Sequence, residues 1–394
     1  MDQIVVECLL FMAVIGVGYS EGVERRLLEA SSVCAEPFCK LYEWFRYRLI
    51  APLRPGLFNQ AATKTKEVAI RIFVGLGLLF TAIVGRAYVS IVSCALLGLA
   101  LLSRLLRSVG FFVQKKGFTY VRGEAEEIEL HNSQAKVLSW NVCGVGGGMS
   151  IDHGGVLPWR QRAAAIVEKI VQADADVVVL QEIYDTELAE RLIKELKGHY
   201  AHFFIHIGPS HLGSVGGLMV FTRCAVSDFT STSFGNNSIW LNRTFCVLDV
   251  KSSRRQQTPC LRVVGTHLIH DSASHRAEQV AQIVDTIAKR HVPLPTVVVG
   301  DWNMERDGEE GAPLRGPFEH GYKAALPTRT NEMLRRWSGA EGCTPGETID
   351  YVSVLKGPQM ATISECQLVE AFDDRFDPNS ALSDHHGLIA QVAF

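Results

Sequence analysis

The hydrophobic positions of this chain follow two different patterns, which meet near residue 120. On the N-terminal side, residues 72–85 and 87–103 form two nearly continuous apolar runs, separated only by Arg86. Each run is shorter than the roughly 20 residues that a membrane-spanning helix needs. Because no polar face interrupts either run, the pattern predicts a membrane-associated helical hairpin over residues 72–103, with the charged Arg86 at its tip.

Lysine and arginine residues flank this hairpin, between residues 46 and 71 and between residues 104 and 122. Basic flanks tend to remain on the cytosolic side of a membrane, so both ends of the hairpin are expected there. We therefore predict a membrane-associated region over residues 1–120, with the rest of the protein facing the cytosolic side. The alternative for the two runs is a pair of buried core helices in a soluble domain.

Beyond residue 120, short β-rich runs alternate with amphipathic segments. Alanine, valine and isoleucine recur at helical spacing over residues 163–171 and 277–287. Strands that alternate with helices favour an α/β domain, which we place at residues 121–394. The predicted strand cores are residues 137–140, 177–180, 218–222, 245–250, 261–266 and 296–299.

Charge and cysteine content narrow the classes of function. The 39 basic and 42 acidic side chains give a formal net charge of −3, which argues against nucleic-acid binding through a global basic field. The ten cysteines include no Cys-x-x-Cys pair and no Cys/His cluster at zinc spacing. The sequence therefore indicates neither a structural zinc site nor a disulfide framework.

Acidic, amide and imidazole side chains stand where the predicted strands meet their loops. Each of these residue types is common in turns, so one of them alone indicates little. Their concentration in one domain predicts a ligand site at the edge of a sheet. The residues are Asn141, Glu182, His267, Asp301, Asn303, Asp350, Asp384 and His385.

The residue types indicate the chemistry of this site. Carboxylates such as Glu182 and Asp384, without cysteine ligands, suit a hard cation that prefers oxygen, Mg²⁺ first and Mn²⁺ as the alternative. Two histidines suit proton transfer near neutral pH, and asparagine amides can donate to anionic oxygens. This combination predicts metal-assisted attack of water on a phosphate ester.

The same residues, in this order, resemble the endonuclease/exonuclease/phosphatase superfamily over about residues 135–394. The resemblance implies a four-layer α/β sandwich, with two mixed sheets packed face to face and helices outside, placed after the N-terminal hairpin. The motifs that carry it are Asn141, Leu-Gln-Glu182, Gly-Thr-His267-Leu, Gly-Asp301-Trp-Asn303, Ile-Asp350-Tyr and Ser-Asp384-His385.

Within the superfamily, the chain is most similar to neutral sphingomyelinases, especially the membrane-bound type 2 enzymes. The segments LQEIYDTELAERLIKELKGHY, GGLMVFTR and GTHLIHDSASHRAEQV carry this likeness, together with the N-terminal hydrophobic segments. It implies a membrane phospholipid as substrate, with sphingomyelin cleaved to ceramide and phosphocholine.

The resemblance also implies roles for the residues around the metal and the phosphate. Glu182 would bind Mg²⁺, Asn141 would lie close to the metal and the phosphate, and Asp384 would support the metal side. Asp301 and Asn303 would position the attacking water and the scissile phosphate.

The two histidines receive different roles by the same resemblance. His385 would act as general base with Asp350 orienting it, whereas His267 would stabilise phosphoryl oxygens or assist the leaving group. The sequence itself does not fix which histidine is the base and which the acid.

One position departs from the pattern of the type 2 enzymes, which carry an Asp–Lys pair ahead of the strand that matches residues 245–250. Here Ser238 stands in place of the acid and Arg243 in place of the lysine. A lipid-gated switch based on that pair is therefore in doubt, and Arg243 is expected to bind substrate instead.

Three other functions remain open. A Mg²⁺-dependent nuclease would use the same residues but needs a basic groove, and Arg254, Arg255, Arg262 and Arg276 form no obvious stripe. An inositol-phosphate phosphatase usually has Trp-x-Asp-Arg where residues 348–351 stand here. The last alternative is a membrane-anchored interaction protein with an inactive site. The oligomeric state is not predicted.

Overall fold

The computed structural model describes most of the chain from residue 117 onward. The described residues are 117–145, 156–208, 215–237, 242–322, 327–329, 346–373, 375 and 381–394, with residues 102, 105, 106 and 108–110 in a helix. Apart from Leu102, the predicted hairpin over residues 72–103 lies outside them. Within the described ranges, no helix combines the length and the apolar character needed to cross a bilayer.

Thirteen strands of the described chain form two mixed β-sheets. In chain order they are β1 (Thr119–Arg122), β2 (Gln134–Asn141), β3 (Val177–Gln181), β4 (His202–Ile205), β5 (Met219–Thr222), β6 (Val226–Ser233), β7 (Thr244–Val250), β8 (Leu261–His267), β9 (Thr296–Asp301), β10 (Phe318–His320), β11 (Asp350–Leu355), β12 (Thr362–Val369) and β13 (Gly387–Ala393). One sheet has seven strands in the order β1-β4-β5-β3-β2-β13-β12, and the other has six in the order β10-β11-β9-β8-β7-β6.

Two of the helices that follow β2 cross over between parallel strands. In chain order the helices after β2 are α1 (Trp159–Ala173), α2 (Thr186–Leu196), α3 (Ala273–Ala288) and α4 (Ala312–Arg315), the last after a 3₁₀ turn at Glu309–Gly311. Helix α1 connects β2 to its parallel neighbour β3, and α3 connects β8 to its parallel neighbour β9. A parallel pair requires such a crossover because the chain must return to the starting edge of the sheet.

Side chains that precede α2 and α3 fix where these helices begin. The Asp185 carboxylate accepts a hydrogen bond from the backbone N–H of Glu187 at 2.9 Å. Ser272 Oγ accepts one from the backbone N–H of His275 at 3.3 Å. Each bond satisfies one of the amide groups that have no partner within the first helical turn.

The apolar core lies in three layers. Val179 and Val263 belong to the layer between the two sheets. Ile166 of α1 and Leu192 of α2 pack on the outer face of the seven-stranded sheet, and Ile283 of α3 packs on the outer face of the other sheet. This arrangement confirms the prediction of two mixed sheets flanked by helices.

At one point the two sheets approach each other too closely for a side chain on both. Gly265 of β8 faces Val179 of β3, and a Cβ atom on Gly265 would lie 2.7 Å from a methyl carbon of that valine. Glycine at this position therefore sets the local distance between the sheets.

The strand directions bring the ends of several strands together. The parallel strands β2 and β3 end side by side, with Asn141 opposite Gln181. The parallel strands β8 and β9 end with His267 opposite Asp301, and β11 begins there with Asp350 opposite Asp301. The polar residues predicted at strand ends therefore lie at one end of the sandwich.

The first strand also begins at this end. Strand β5 starts with Met219 opposite Leu180 of β3, and the antiparallel strand β4 finishes beside it. Because β1 is antiparallel to β4, with Thr119 opposite Ile205, the chain enters the sandwich at the end that carries the polar residues.

Candidate active site

The carboxylate of Asp301 lies at the centre of the candidate site. It is buried, and its Oδ2 atom accepts a hydrogen bond from Asn141 Nδ2 at 3.0 Å. The same oxygen is 3.4 Å from His267 Nε2 and 3.8 Å from His385 Nε2. Since Asn141 and His385 come from the seven-stranded side and His267 from the six-stranded sheet, both sheets contribute to one point.

His385 is the charged histidine of the pair. Its Nδ1 atom is 2.8 Å from Asp350 Oδ2, and Trp140 Nε1 donates to its backbone carbonyl at 2.9 Å. Burial disfavours the charged imidazole, but three carboxylates outweigh this effect and raise the pKa of His385 to about 10. These carboxylates belong to Asp350, Asp384 and Asp301.

His267 is the neutral histidine. Arg243 Nη1 lies 2.8 Å from His267 Nδ1, and because a guanidinium only donates, Nδ1 must accept and Nε2 must carry the hydrogen. Burial, followed by the charges of Arg243 and His385, lowers the pKa of His267 well below its ordinary value. The two histidines therefore approach Asp301 in different protonation states.

Arg243 is a buried cation on the rim of an acidic site. No carboxylate of the described chain forms an ion pair with it, although its Nη1 atom donates to Tyr184 Oη at 2.7 Å. Its Nε–H has no hydrogen-bond acceptor among the described residues. An arginine without a contacting carboxylate is suited to an anionic ligand such as a phosphate group.

Glu182 is held in an uncommon backbone conformation beside Asn141. Its φ angle is 66°, in the left-handed region that a non-glycine residue rarely adopts. A Cβ atom on Gly144 would lie 2.3 Å from the Glu182 carbonyl oxygen, so only glycine fits against this turn. Asn141 Nδ2 donates to Glu182 Oε1 at 3.2 Å. Backbone strain of this kind is concentrated at functional sites.

The acidic residues fit a divalent cation. Burial raises the pKa of Glu182, and the negative charge of Asp384 raises it further. A cation between carboxylates would offset this repulsion, and oxygen donors suit a hard divalent ion. Atoms of Asp301, Asp350 and His385 also lie within 4.8 Å of one another, but an imidazole that is protonated on both nitrogens has no lone pair to offer a metal.

Asn141 and Asn303 contribute mainly through their amide groups. Asn141 Oδ1 accepts from the backbone N–H of Cys143 at 3.0 Å, so its amide nitrogen, rather than its oxygen, faces the carboxylates. Asn303, with a φ angle of 50°, donates its backbone N–H to Asp301 Oδ1 at 2.9 Å and its side-chain Nδ2 to the Leu268 carbonyl at 2.9 Å.

The structure brings the residues predicted from strand ends into one cluster. Asp384 is half-buried and lies 3.4 Å from Ser383 Oγ. Ser238, the other residue at which the sequence departs from the type 2 pattern, lies outside the described residues. Two residues of the site were given no role by the sequence reasoning.

These two residues are Tyr184 and Arg162, and both had a signal in the sequence. Tyr184 lies two residues after Glu182, in the segment LQEIYDTELAERLIKELKGHY that carries the likeness to sphingomyelinases. Arg162 precedes Ala163 and lies one helical turn before Ile166, on the face that α1 buries. A charged residue on an apolar helix face requires a partner, which would have identified it.

Comparison with known proteins agrees with this geometry. The sequence pattern of the Endonuclease/Exonuclease/phosphatase family matches residues 138–385. Sphingomyelinase C of Listeria ivanovii is 25% identical over 289 residues, which cover 63% of this chain and 82% of the relative. The predicted similarity to sphingomyelinases within this superfamily is thereby confirmed.

Two solved structures share the fold. The crystal structure of SmcL has a TM-score of 0.50 and 22% identity, and the match covers 67% of this chain and all 100% of that chain. TDP2 of D. rerio, complexed with a single-stranded DNA product, has a TM-score of 0.52 and 16% identity, over 66% of this chain and 100% of that chain. At these identities the likeness concerns the fold alone. The family pattern, which matches residues 138–385 and thus more than half of the chain, shows that this chain belongs to the endonuclease/exonuclease/phosphatase family, whose members are hydrolases that act on phosphate esters.

Proposed function

We propose that this chain is a divalent-metal-dependent phosphodiesterase that hydrolyses sphingomyelin or a related phospholipid and releases the phosphorylated head group. The observation that carries the proposal is the approach of His267 and His385 to the same oxygen of Asp301, at 3.4 and 3.8 Å. The carboxylate of Asp301 provides a proton acceptor, and the neutral and the charged imidazole on either side of it provide two hydrogen-bond donors for a phosphate ester.

The proton positions suggest how these groups act. Burial and the neighbouring Asp350 raise the pKa of Asp301 to about 7, which suits a group that accepts a proton near neutral pH. We therefore assign to Asp301 the proton of the attacking water. His385, kept charged by Asp350, gives its proton to the leaving alkoxide oxygen as the bond from that oxygen to phosphorus breaks and the water oxygen bonds to phosphorus. It acts as an acid instead of the base that the resemblance implies.

Other side chains bind the phosphate group and hold the metal. His267 donates Nε2–H without giving up its proton, and Arg243 supplies the positive charge. Glu182, with Asp384 beside it, would hold the divalent cation, with Mg²⁺ as the proposed ion and Mn²⁺ as the alternative. A cation of this kind polarises a phosphoryl oxygen and lowers the cost of the negative charge that develops there.

Two observations favour a phospholipid: the relatives named sphingomyelinase C, and the positions of the arginines, which do not suit a nuclease. Arg262 is buried, and its Nε and Nη2 atoms both donate to the carboxylate of Asp249. Arg276 pairs with Glu310. The exposed pair at residues 254–255 lies between β7 and β8, at the end of the sandwich opposite the site. These arginines do not form a nucleic-acid groove beside the site.

The test compares substrates at one Mg²⁺ concentration. The chain is incubated with mixed micelles of sphingomyelin, phosphatidylcholine or phosphatidylethanolamine, and separately with supercoiled plasmid. We expect phosphocholine release from sphingomyelin, lost on chelation with EDTA and in His385→Ala. Plasmid nicking without lipid hydrolysis would replace the proposal with a nuclease. No turnover of any substrate by a folded protein would favour the interaction protein.

We further propose that residues 72–103 hold the protein at a membrane, with the catalytic domain on the cytosolic side. The support is the uninterrupted apolar character of these residues and their basic flanks. Carbonate extraction and protease protection of the full chain in vesicles test this. Release of the protein by carbonate, or protection of the catalytic domain inside sealed cytosol-side-out vesicles, would contradict it.

A further inference from the structure

Arg162 is a buried cation that contacts backbone carbonyls instead of a carboxylate. It lies on the first turn of α1, is 0% exposed, and forms no ion pair with the described residues. Its Nε atom donates to the Leu157 carbonyl at 2.6 Å, and Nη1 donates to the Val142 carbonyl at 2.9 Å. A buried charge is costly, so its retention here requires an explanation.

The remaining two bonds of this guanidinium join different parts of the active site. Nη2 donates to the Cys143 carbonyl at 2.6 Å, just after β2, and Nη1 also donates to the Leu382 carbonyl, just before β13. Four of its five N–H groups are thus used on carbonyls. These two segments lie far apart in sequence, and the guanidinium of Arg162 contacts both of them at once.

The bond from Arg162 to the Cys143 carbonyl affects the position of Asn141. Cys143 has a φ angle of 47°, which a non-glycine residue adopts only when its surroundings impose it. Its carbonyl is held by Arg162, and its backbone N–H donates to Asn141 Oδ1 at 3.0 Å. That bond turns the amide nitrogen of Asn141 toward Glu182 and Asp301. Arg162 therefore orients Asn141 through the peptide groups of Cys143.

The bond from Arg162 to the Leu382 carbonyl affects the position of His385. Arg162 holds the carbonyl of Leu382, and the next residue, Ser383, donates Oγ–H to the Asn141 carbonyl at 2.6 Å. The backbone N–H of His385 donates to the same Ser383 oxygen at 3.1 Å. The bonds to the Cys143 and Leu382 carbonyls therefore act together, since both fix the position of Asn141 relative to the segment that carries His385.

The charge of Arg162 has a counterpart on the same side of the site. Burial lowers the pKa of Arg162, and the negative charges of Asp384 and Glu182 oppose this effect, although neither carboxylate contacts the guanidinium. These are the carboxylates that we assign to the cation. Arg162 thus compensates part of the negative charge of these carboxylates while its own hydrogen bonds go to backbone carbonyls, which leaves the carboxylate oxygen atoms available to a cation.

We propose that Arg162 is a positioning residue of the catalytic site, which sets the distance between the end of β2 and the segment before β13. It thereby places Asn141, which orients the cation ligand Glu182, and the segment that carries the cation ligand Asp384 and the catalytic His385. The catalytic part of this inference rests on the proposed function. Its metal-binding part rests only on the proposed metal site and not on the proposed substrate, because metal affinity is measured without substrate.

The test is Arg162→Lys, which keeps the charge but cannot make four bonds in the same plane. Arg262→Lys is the matched control, because Arg262 is equally buried, at 1% exposure, and binds Asp249 at the opposite end of the sandwich. Mg²⁺ and Mn²⁺ binding by calorimetry, kcat and KM in the micelle assay, and Tm are measured for both variants.

We expect both substitutions to lower Tm, since each removes hydrogen bonds from a buried guanidinium. Only Arg162→Lys should weaken metal binding and lower kcat, by about 10- to 100-fold as for other residues that orient metal ligands, with KM nearly unchanged. Weakened metal binding without any measurable activity in the wild-type chain would support the positioning role and refute the proposed substrate.

Two results would overturn the inference. One is a folded Arg162→Lys protein whose metal affinity and kcat match those of Arg262→Lys. The other is failure to obtain folded protein with either Arg162→Lys or Arg162→Gln, which keeps two N–H donors, because the residue would then be a requirement of folding rather than of site geometry.

Discussion

Arg243 donates a hydrogen bond from Nη1 to Nδ1 of His267 at 2.8 Å, and thereby fixes which nitrogen of that imidazole carries the hydrogen. The usual partner of a catalytic histidine is a carboxylate, which accepts a hydrogen bond from Nδ1–H, as Asp350 does from His385. The two histidines therefore differ in charge because their partners differ: Nδ1 of the neutral His267 accepts a hydrogen bond, whereas Nδ1 of the charged His385 donates one.

Replacing Arg243 should change the behaviour of His267. In Arg243→Met the donor and its charge are lost, so we expect the pKa of His267 to rise and both tautomers to be populated. Activity should fall by about 10- to 100-fold, the loss seen when partners that orient metal-bound histidines are removed. Long-range ¹H–¹⁵N spectra of the histidine rings measure both effects. The control is Arg223→Met, since Arg223 pairs with Asp174 at the far end of the domain.

The outcome that would contradict this interpretation is specific. If Arg243→Met retained the Nε2–H tautomer of His267 and the activity of the wild-type chain, the hydrogen bond between these residues would have no functional role.

The metal-free protein should lose stability as the pH rises above neutrality. The folded state holds a proton on His385 up to a pKa of about 10, whereas the ordinary value is 6.5. This contribution is fully present below pH 6.5 and is lost as the pH rises through 10, because only the folded state retains the proton in between. Asp301, whose pKa is raised to about 7, acts in the same direction at lower pH.

Thermal unfolding between pH 6 and about 10 checks this expectation. Asp350→Asn removes one of the carboxylates that raise the pKa of His385, so the decline in Tm should become shallower. Asp285→Asn, at an exposed ion pair on α3, serves as the control. An equally steep decline in Asp350→Asn and in wild type would exclude His385 as the source.

Glu182→Gln should separate metal binding from stability. Burial and the charge of Asp384 disfavour the ionised Glu182, so the neutral amide should raise the Tm of the metal-free chain. It should also weaken Mg²⁺ binding in calorimetry and reduce turnover at least about 100-fold, since a cation ligand is lost. The control is Glu187→Gln, which removes a carboxylate that pairs with Arg160 on the surface. Unchanged metal affinity in Glu182→Gln would remove this residue from the metal site.

Gly265→Ala should destabilise the sandwich without a direct effect on the site. The added methyl group would lie 2.7 Å from Val179 Cγ1, and overpacking of this kind costs about 1–3 kcal/mol. Urea unfolding measures the loss. In Gly198→Ala the methyl group meets no atom within 4 Å, so that variant should unfold at nearly the wild-type urea concentration. Equal midpoints for the two variants would show that the sheets can separate at Gly265.

The site was predictable to the extent that its residues follow strands. Asn141, His267 and Asp301 are the last residues of buried strands, and strand direction alone places such residues at one edge. The two-sheet fold followed from the resemblance, because periodicity predicts strands but does not show which sheet each one joins.

What the sequence could not show are the contacts that depend on loops. The pairing of Arg243 with His267, instead of with a carboxylate, depends on how the segment before β7 folds back onto the site. The bonds from Arg162 to the carbonyls of Cys143 and Leu382 involve backbone atoms, which leave no trace in residue type. The same holds for the left-handed conformation of Glu182, although the neighbouring Gly144 is visible in the sequence.

The antiparallel pairing of β1 with β4 places Thr119 at the end of the sandwich that carries Asp301, rather than at the opposite end. Attachment of the preceding residues to any structure or surface would consequently be transmitted to the domain at its polar end. Under the membrane attachment that we propose, Asp301 and its neighbours would lie on the side of the domain from which the tether leaves.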